Sequence, residues 1–228
     1  MAAVTFPERF RKEVLSLARA ATSRWKVVGG GLVAVVVLAG GLGAWWWYAS
    51  RHEGEAGRAL AEVNQAFRSQ YPSGFYLPGG EKEDPKPDGL IERYRQVAEQ
   101  YAGTRAGVEA RMRIADLEYS AGQYDAAIRS YEQYAADPRA PLRPAALLGK
   151  AYGLLAKGDT TAASAAFGAA AEAAFKDPLA AEAYLGQGRA FESLQKREEA
   201  LRAYGLVTEK FPDTAWAMQA RERTAALR

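Results

Sequence analysis

Residues able to carry chemistry are sparse in this chain, and their spacing argues against catalysis. His52 is the only histidine among 228 residues, and cysteine is absent. A histidine-based triad or general base beyond that point, a thiol nucleophile, a thiolate metal site and a disulfide scaffold are therefore excluded. Gly29, Gly30 and Gly31 open an apolar run and do not form a phosphate-binding loop. Glu81, Glu83, Asp84 and Asp88 lack the spacing of an EF-hand calcium loop. No Ser–Lys dyad is marked out. The other carboxylates fall among Arg and Lys on helical faces, the pattern of a solvated surface. A non-enzymatic protein is expected, with no cofactor, no metal and no small-molecule substrate.

Charge is unevenly placed. The net charge is +3, but residues 1–26 hold Arg9, Arg11, Lys12, Arg19, Arg24 and Lys26 against Glu8 and Glu13. That tail carries +4 and leaves −1 for the remainder, so the high pI does not describe a nucleic-acid surface.

The uncharged stretch 27–48, VVGGGLVAVVVLAGGLGAWWWY, reads as one membrane span. At about 1.5 Å per residue it reaches roughly 33 Å, enough for a hydrocarbon core of about 30 Å. Trp45, Trp46, Trp47 and Tyr48 suit the membrane–water interface, and Lys26 and Arg51 flank the run. It is longer than the apolar core of a signal peptide, and Ala39-x-Gly41 is a poor cleavage site, so an uncleaved anchor is expected. Gly40 and Gly43 belong to small-xxx-small pairs that allow a neighbouring helix to approach. The positive-inside rule keeps the 1–26 tail in the cytoplasm, lying on the leaflet or docking a partner, and presents residues 53–228 on the far side.

Beyond the span the pattern is helical throughout. Leu60, Val63 and Phe67 share one face of 55–70. Residues 73–89 hold prolines, glycines and a charge run and read as a long loop, folded back on the helices or bound to a partner. From Asp88 onward the chain repeats. Ala115, Ala151 and Gly188 recur at one position, Ala127, Ala163 and Ala200 at a second, and Tyr131, Phe167 and Tyr204 at a third. All three series step by 36 and then 37 residues. Ile91, Tyr94 and Val97 continue the second-helix pattern backward. Asp213 is the expected N-cap of a closing helix that offers Trp216, Ala220 and Leu227 to the stack.

These features resemble the tetratricopeptide repeat, with Gly122-Gln123-Tyr124-Asp125 close to that family's turn. The third repeat departs from it at Gln195-Lys196-Arg197. The resemblance implies an all-α protein: an N-terminal transmembrane helix, then a short α-solenoid. Its parts are a degenerate first repeat (55–101, with the 73–89 loop), repeats at about 105–138, 144–175 and 178–212, and a capping helix at 213–228. In that family the first helix of each repeat lines a concave groove. The resemblance therefore implies a partner-binding groove of Met112, Asp116 and Tyr119, then Leu148, Tyr152 and Leu155, then Leu185, Arg189 and Glu192. Such a mixture suits a hydrophobic or amphipathic polypeptide segment.

A basic tail, one glycine-rich anchor and about three and a half exported repeats also resemble the ancillary SecYEG translocon subunit family of Gram-negative inner membranes. That likeness implies a single-pass inner-membrane protein with a periplasmic domain. Its partners would be translocon subunits, periplasmic chaperones or emerging chains, besides the bilayer itself. A scaffold of a cell-division or Tol–Pal-associated envelope complex is the alternative.

Overall fold

The computed structural model describes residues 8–71 and 88–227, with side chains over 36–71 and 89–227. The side chains of the 1–26 tail, residues 27–35 of the apolar run and loop residues 73–87 lie outside these. The described residues form helices α1 (Glu8–Gln70), α2 (Asp88–Gln100), α3 (Arg105–Ser120), α4 (Tyr124–Ala136), α5 (Arg143–Lys157), α6 (Thr160–Ala174), α7 (Leu179–Ser193), α8 (Arg197–Lys210) and α9 (Ala215–Ala226), with no strand among them. They divide into two units, Met1–Arg51 and His52–Arg228.

In the first unit, Val36, Val37, Leu38, Leu42, Trp45, Trp46, Trp47 and Tyr48 are all between 59% and 69% exposed. The Arg51 guanidinium lies 5.4 Å from the Trp47 ring centre. A Cβ added at Gly40 or Gly43 would meet nothing within 4 Å. Among the described residues no helix is long and apolar enough to cross a membrane, and only 36–48 of the apolar run falls within them.

The second unit is a stack of antiparallel helix pairs. Ala56, Leu60 and Val63 of α1 join Leu90, Ile91, Tyr94 and Val97 of α2 in one core cluster. The pairs α3–α4, α5–α6 and α7–α8 follow, and α9 closes against α7 and α8. Each first helix touches the next first helix (α3 to α5, α5 to α7, α7 to α9), whereas consecutive second helices do not touch. The first helices therefore line the tighter, inner side of the stack.

What sets the stacking is a ring on a small residue. Tyr94, Tyr131, Phe167 and Tyr204 occupy one position of α2, α4, α6 and α8, in steps of 37, 36 and 37 residues, and all are at most 4% exposed. Ala110, Ala146, Ala183 and Ala220 hold the matching place in α3, α5, α7 and α9, each wholly buried. A Cβ on Gly149 would stand 2.5 Å from the Tyr131 ring, and one on Gly186 would stand 2.6 Å from the Phe167 ring. In both cases the ring of one repeat lies on the backbone of the next. At the array's end the position after Gly149 and Gly186 is Arg223, and Tyr204 lies instead on Gly188 of its own repeat, where a Cβ would meet it at 2.4 Å.

Local chemistry ends the helices. Gly122 and Gly158 close α3 and α5 with left-handed φ of 75° and 92°. Gln195 occupies the same place after α7 with φ 59°, so the missing turn glycine leaves the conformation in place and adds strain. Thr104 caps α3 through its hydroxyl, 3.0 Å from the Gly107 amide. Two sequence expectations are corrected. Asp88 and Gly89 belong to α2 rather than to the preceding loop. The cap of α9 is Thr214, whose hydroxyl accepts from the Ala217 amide at 3.2 Å, and not Asp213; the chain turns helical one residue later.

Two predictions test this account by thermal unfolding of the full chain in detergent. Gly149→Ala should destabilise by about 1–2 kcal/mol, because overpacking outweighs the gain in helix propensity. Gly205→Ala, whose added Cβ meets nothing within 4 Å, should stabilise by about 0.5–1 kcal/mol. If both raise Tm, the ring-on-glycine contact is not what sets the packing. Gln195→Gly should raise stability by about 0.5–1 kcal/mol through relief of the left-handed backbone. A fall in Tm would show that the Gln195 side chain contributes more than the strain costs.

Candidate polypeptide-binding groove

The nine groove residues occupy three equivalent positions on α3, α5 and α7, but the fold treats them differently. Met112, Leu148 and Leu185 form the first set. Met112 is partly exposed, whereas Leu148 and Leu185 are 6% and 3% exposed and serve the core. Their burial follows from α6, α8 and α9 packing around α5 and α7, which the linear pattern does not reveal.

The second set is Asp116, Tyr152 and Arg189. The Tyr152 hydroxyl donates to Glu182 at 2.8 Å, which ties α5 to α7. One repeat later Arg189 donates to Gln219 at 2.8 Å, which ties α7 to α9. Both partners lie 30 residues onward. The corresponding partner of Asp116 would fall beside Ala146 on α5, where no polar group stands, and Asp116 accepts instead from the Tyr131 hydroxyl at 2.9 Å. Burial pushes the Asp116 carboxyl up, against the Tyr131 hydrogen bond and the Arg113 charge. Burial also pushes the Tyr131 phenol up, with the Asp116 charge adding to it.

The third set is Tyr119, Leu155 and Glu192. Tyr119 packs 5.6 Å from Tyr124, and Leu155 packs against the main core. Glu192 accepts from the Tyr204 hydroxyl at 2.8 Å and pairs with Arg223. Burial raises its carboxyl, but the Arg223 and Tyr204 hydrogen bonds outweigh this and hold it below the usual range. Tyr131 and Tyr204 of the ring series thus each find a carboxylate on their own first helix, and Tyr94 donates to the Asn64 amide oxygen of α1 at 2.7 Å. Phe167, which has no hydroxyl, faces the edge of Tyr152 at 5.1 Å instead.

Tyr152, Arg189 and Glu192 are thus committed to partners on α7, α8 and α9, and an opening lies beside α3, where it faces the end of α4 and the α4–α5 turn. There a cavity of about 510 Å3 is lined by Val108, Met112, Tyr134, Pro141 and Leu142, with Glu109, Arg113 and Asp116 among its polar groups. Of the nine sequence-predicted residues, only Met112 and Asp116 line it. Sequence reasoning did not single out Val108, Tyr134 or Leu142 for binding. It also missed the ties through Glu182 and Gln219, although their 37-residue step was available as a signal.

The two carboxylates should respond oppositely to pH. Asp116 has a raised folded pKa, so its contribution is present below the unfolded value of 3.8 and is lost as pH rises through the folded value. Asp116→Asn keeps an acceptor for Tyr131 and should be as stable as the parent or about 0.5–1 kcal/mol more stable at pH 7, an advantage that fades below pH 4. Glu192 has a lowered folded pKa, so its contribution is present above 4.5 and is lost as pH falls. Glu192→Gln should cost about 1 kcal/mol at pH 7, and the gap should close in acid. Chemical denaturation of both variants across pH 3–8 checks the signs.

Comparison with known proteins agrees with the geometry. The family model of a tetratricopeptide repeat-like domain matches residues 22–223. No match is found among the curated proteins. Domains of this kind bind other proteins. The chain belongs to the tetratricopeptide repeat-like domain family.

Proposed function

We propose that this chain is a membrane-anchored, non-enzymatic protein-binding module that takes a hydrophobic or amphipathic polypeptide segment between α3 and the α4–α5 turn. One observation carries the reading. The stripe residues on α5 and α7 are buried, packed on the core or tied to neighbouring helices, while the space between α3 and the α4–α5 turn keeps an apolar-floored cavity of about 510 Å3. Its size suits one or two large apolar side chains, and Glu109 and Arg113 give both signs of charge to contact a flanking backbone or side chain. Fixed tyrosine–carboxylate pairs hold the surrounding helices still, so binding orders few additional groups.

The anchor is the second half of the proposal. Eight large apolar side chains in 36–48 are exposed together, an arrangement that in water marks an interaction surface. A bilayer accounts for them, with Trp45, Trp46, Trp47 and Tyr48 at the interface and Gly40 and Gly43 open to a neighbouring helix. The sequence likeness to the ancillary translocon subunits then gives the cellular setting: an inner-membrane protein with its repeats in the periplasm. There it would meet Sec subunits, emerging chains or periplasmic chaperones.

A photo-crosslinking residue at Met112, compared with one at exposed Ala169 on α6, tests the reading in intact membranes. Met112 should capture translocon subunits and diverse nascent chains, and Ala169 should not. Capture of one fixed envelope component at Met112 would overturn the translocon reading in favour of a scaffold.

A further inference from the structure

The cavity beside α3 holds a hydroxyl that the repeat does not call for. Tyr134 lies three residues after Tyr131 on α4, and the same place is taken by Val97 on α2, Ala170 on α6 and Val207 on α8. These positions step by 37, 36 and 37 residues, and all four side chains are at most 5% exposed. Packing at this place is met by an apolar side chain in the other three second helices, so the phenol is particular to α4.

The Tyr134 hydroxyl accepts from the Leu142 amide at 3.2 Å, which fixes the α4–α5 turn. That is its one hydrogen bond among the described residues. It uses a lone pair of the oxygen and leaves the proton without an acceptor. Tyr94, Tyr131 and Tyr204, by contrast, all spend their protons on side chains of neighbouring helices. Tyr134 is only 1% exposed and lines the cavity of about 510 Å3. Burial pushes its phenol up, against the Leu142 hydrogen bond, and Glu109, Asp116 and Asp137 add to the rise. The group therefore stays protonated and able to donate.

The charges around the hydroxyl decide what it can meet. Glu53, Glu109 and Asp116 stand on the cavity wall against Arg105, Arg113 and Arg139, and the two signs balance. Arg139 is already spent on Asp137 and the Gly103 carbonyl, and Asp116 accepts from Tyr131. An ion entering this space would lose its hydration without meeting a net opposite charge. A neutral acceptor avoids that cost. A polypeptide main chain offers one carbonyl at every residue. Apolar side chains would cover Val108, Met112, Pro141 and Leu142 beside it. We propose that the cavity takes an uncharged, apolar stretch of polypeptide, and that Tyr134 donates its free proton to one main-chain carbonyl of that stretch. Main-chain recognition fixes a register without demanding a sequence, and the balanced wall turns charged stretches away. The inference rests on the cavity reading above and adds the group that grips the occupant.

The test titrates the full chain in lipid nanodiscs with a capped, uncharged leucine–phenylalanine peptide carrying a fluorophore, read by anisotropy against empty nanodiscs. Replacing the peptide's leucine by glutamate or by lysine should weaken binding by about tenfold in each case. Tyr134→Phe, its helicity checked by circular dichroism, should weaken binding of the uncharged peptide about three- to tenfold, the worth of one hydrogen bond. This variant also frees the Leu142 amide, so a double-mutant cycle isolates the bond. Peptide amides are changed one at a time to esters, which are weaker acceptors. One position should lose affinity for the native chain, and that loss should vanish with Tyr134→Phe. Infrared spectra need no variant: a carbon-13 label at that carbonyl should show its stretch lowered on binding. Equal ester losses in both proteins, with no infrared shift, would overturn the Tyr134 bond and leave the cavity reading standing. Tighter binding of the glutamate or lysine peptide would overturn the uncharged occupant. Failure of all three peptides to bind would overturn the cavity reading, and this inference with it.

Discussion

The contact on which the stack depends is an aromatic ring lying on a helix backbone. A two-helix repeat cannot bury its apolar face alone, and stability comes from the interface with its neighbour. Tyr131 over Gly149 and Phe167 over Gly186 bring second and first helices closer than any Cβ would permit. The alanines that recur in register at 110, 146, 183 and 220 allow the same approach elsewhere in the stack. The step of 36 or 37 residues is therefore a packing requirement at the junctions of α4 with α5 and of α6 with α7, where ring and glycine meet.

Burying a phenol brings an obligation of its own, since an unpaired hydroxyl in the interior costs free energy. Asn64, Asp116 and Glu192 meet it for Tyr94, Tyr131 and Tyr204, and where the ring is Phe167 the carboxylate is absent from the first helix. No buried side-chain polar atom lacks a partner among the described residues. Satisfying these groups consumes the polar side chains that a groove would otherwise present. The cavity beside α3, by contrast, keeps Glu109, Arg113 and Asp116 next to its apolar residues.

Much of this was legible in the sequence because it is periodic. The ring position and the small residues at 115, 151 and 188 and at 127, 163 and 200 were readable as three series with one step, whereas Gly149, Gly186 and the alanines at 110, 146, 183 and 220 were not singled out; helix faces followed from the 3.6-residue period. The groove was legible only as a face. Which of its residues remain accessible depends on neighbours far along the chain, so Leu148 and Leu185 look no different from Met112 by spacing and yet lie inside. The cap of α9 shows the same limit at short range: Asp213 and Thr214 are both good caps, and the chain geometry chose Thr214.

By itself, the sequence determined the helical class, the repeat step, the apolar run at 27–48 and the single histidine with no cysteine, because each is a matter of composition or of one-dimensional spacing. Tertiary structure alone decided that Gln195 takes a left-handed turn without glycine, that Glu182 and Gln219 tie the first helices, and that the cavity opens between α3 and the α4–α5 turn. It also put the Tyr134 hydroxyl on the wall of that cavity, at a position that Val97, Ala170 and Val207 fill in the other second helices. The reason is that a cavity is made by elements apart in the chain, here α3 and the α4–α5 turn, a relation that exists only once the helices are stacked.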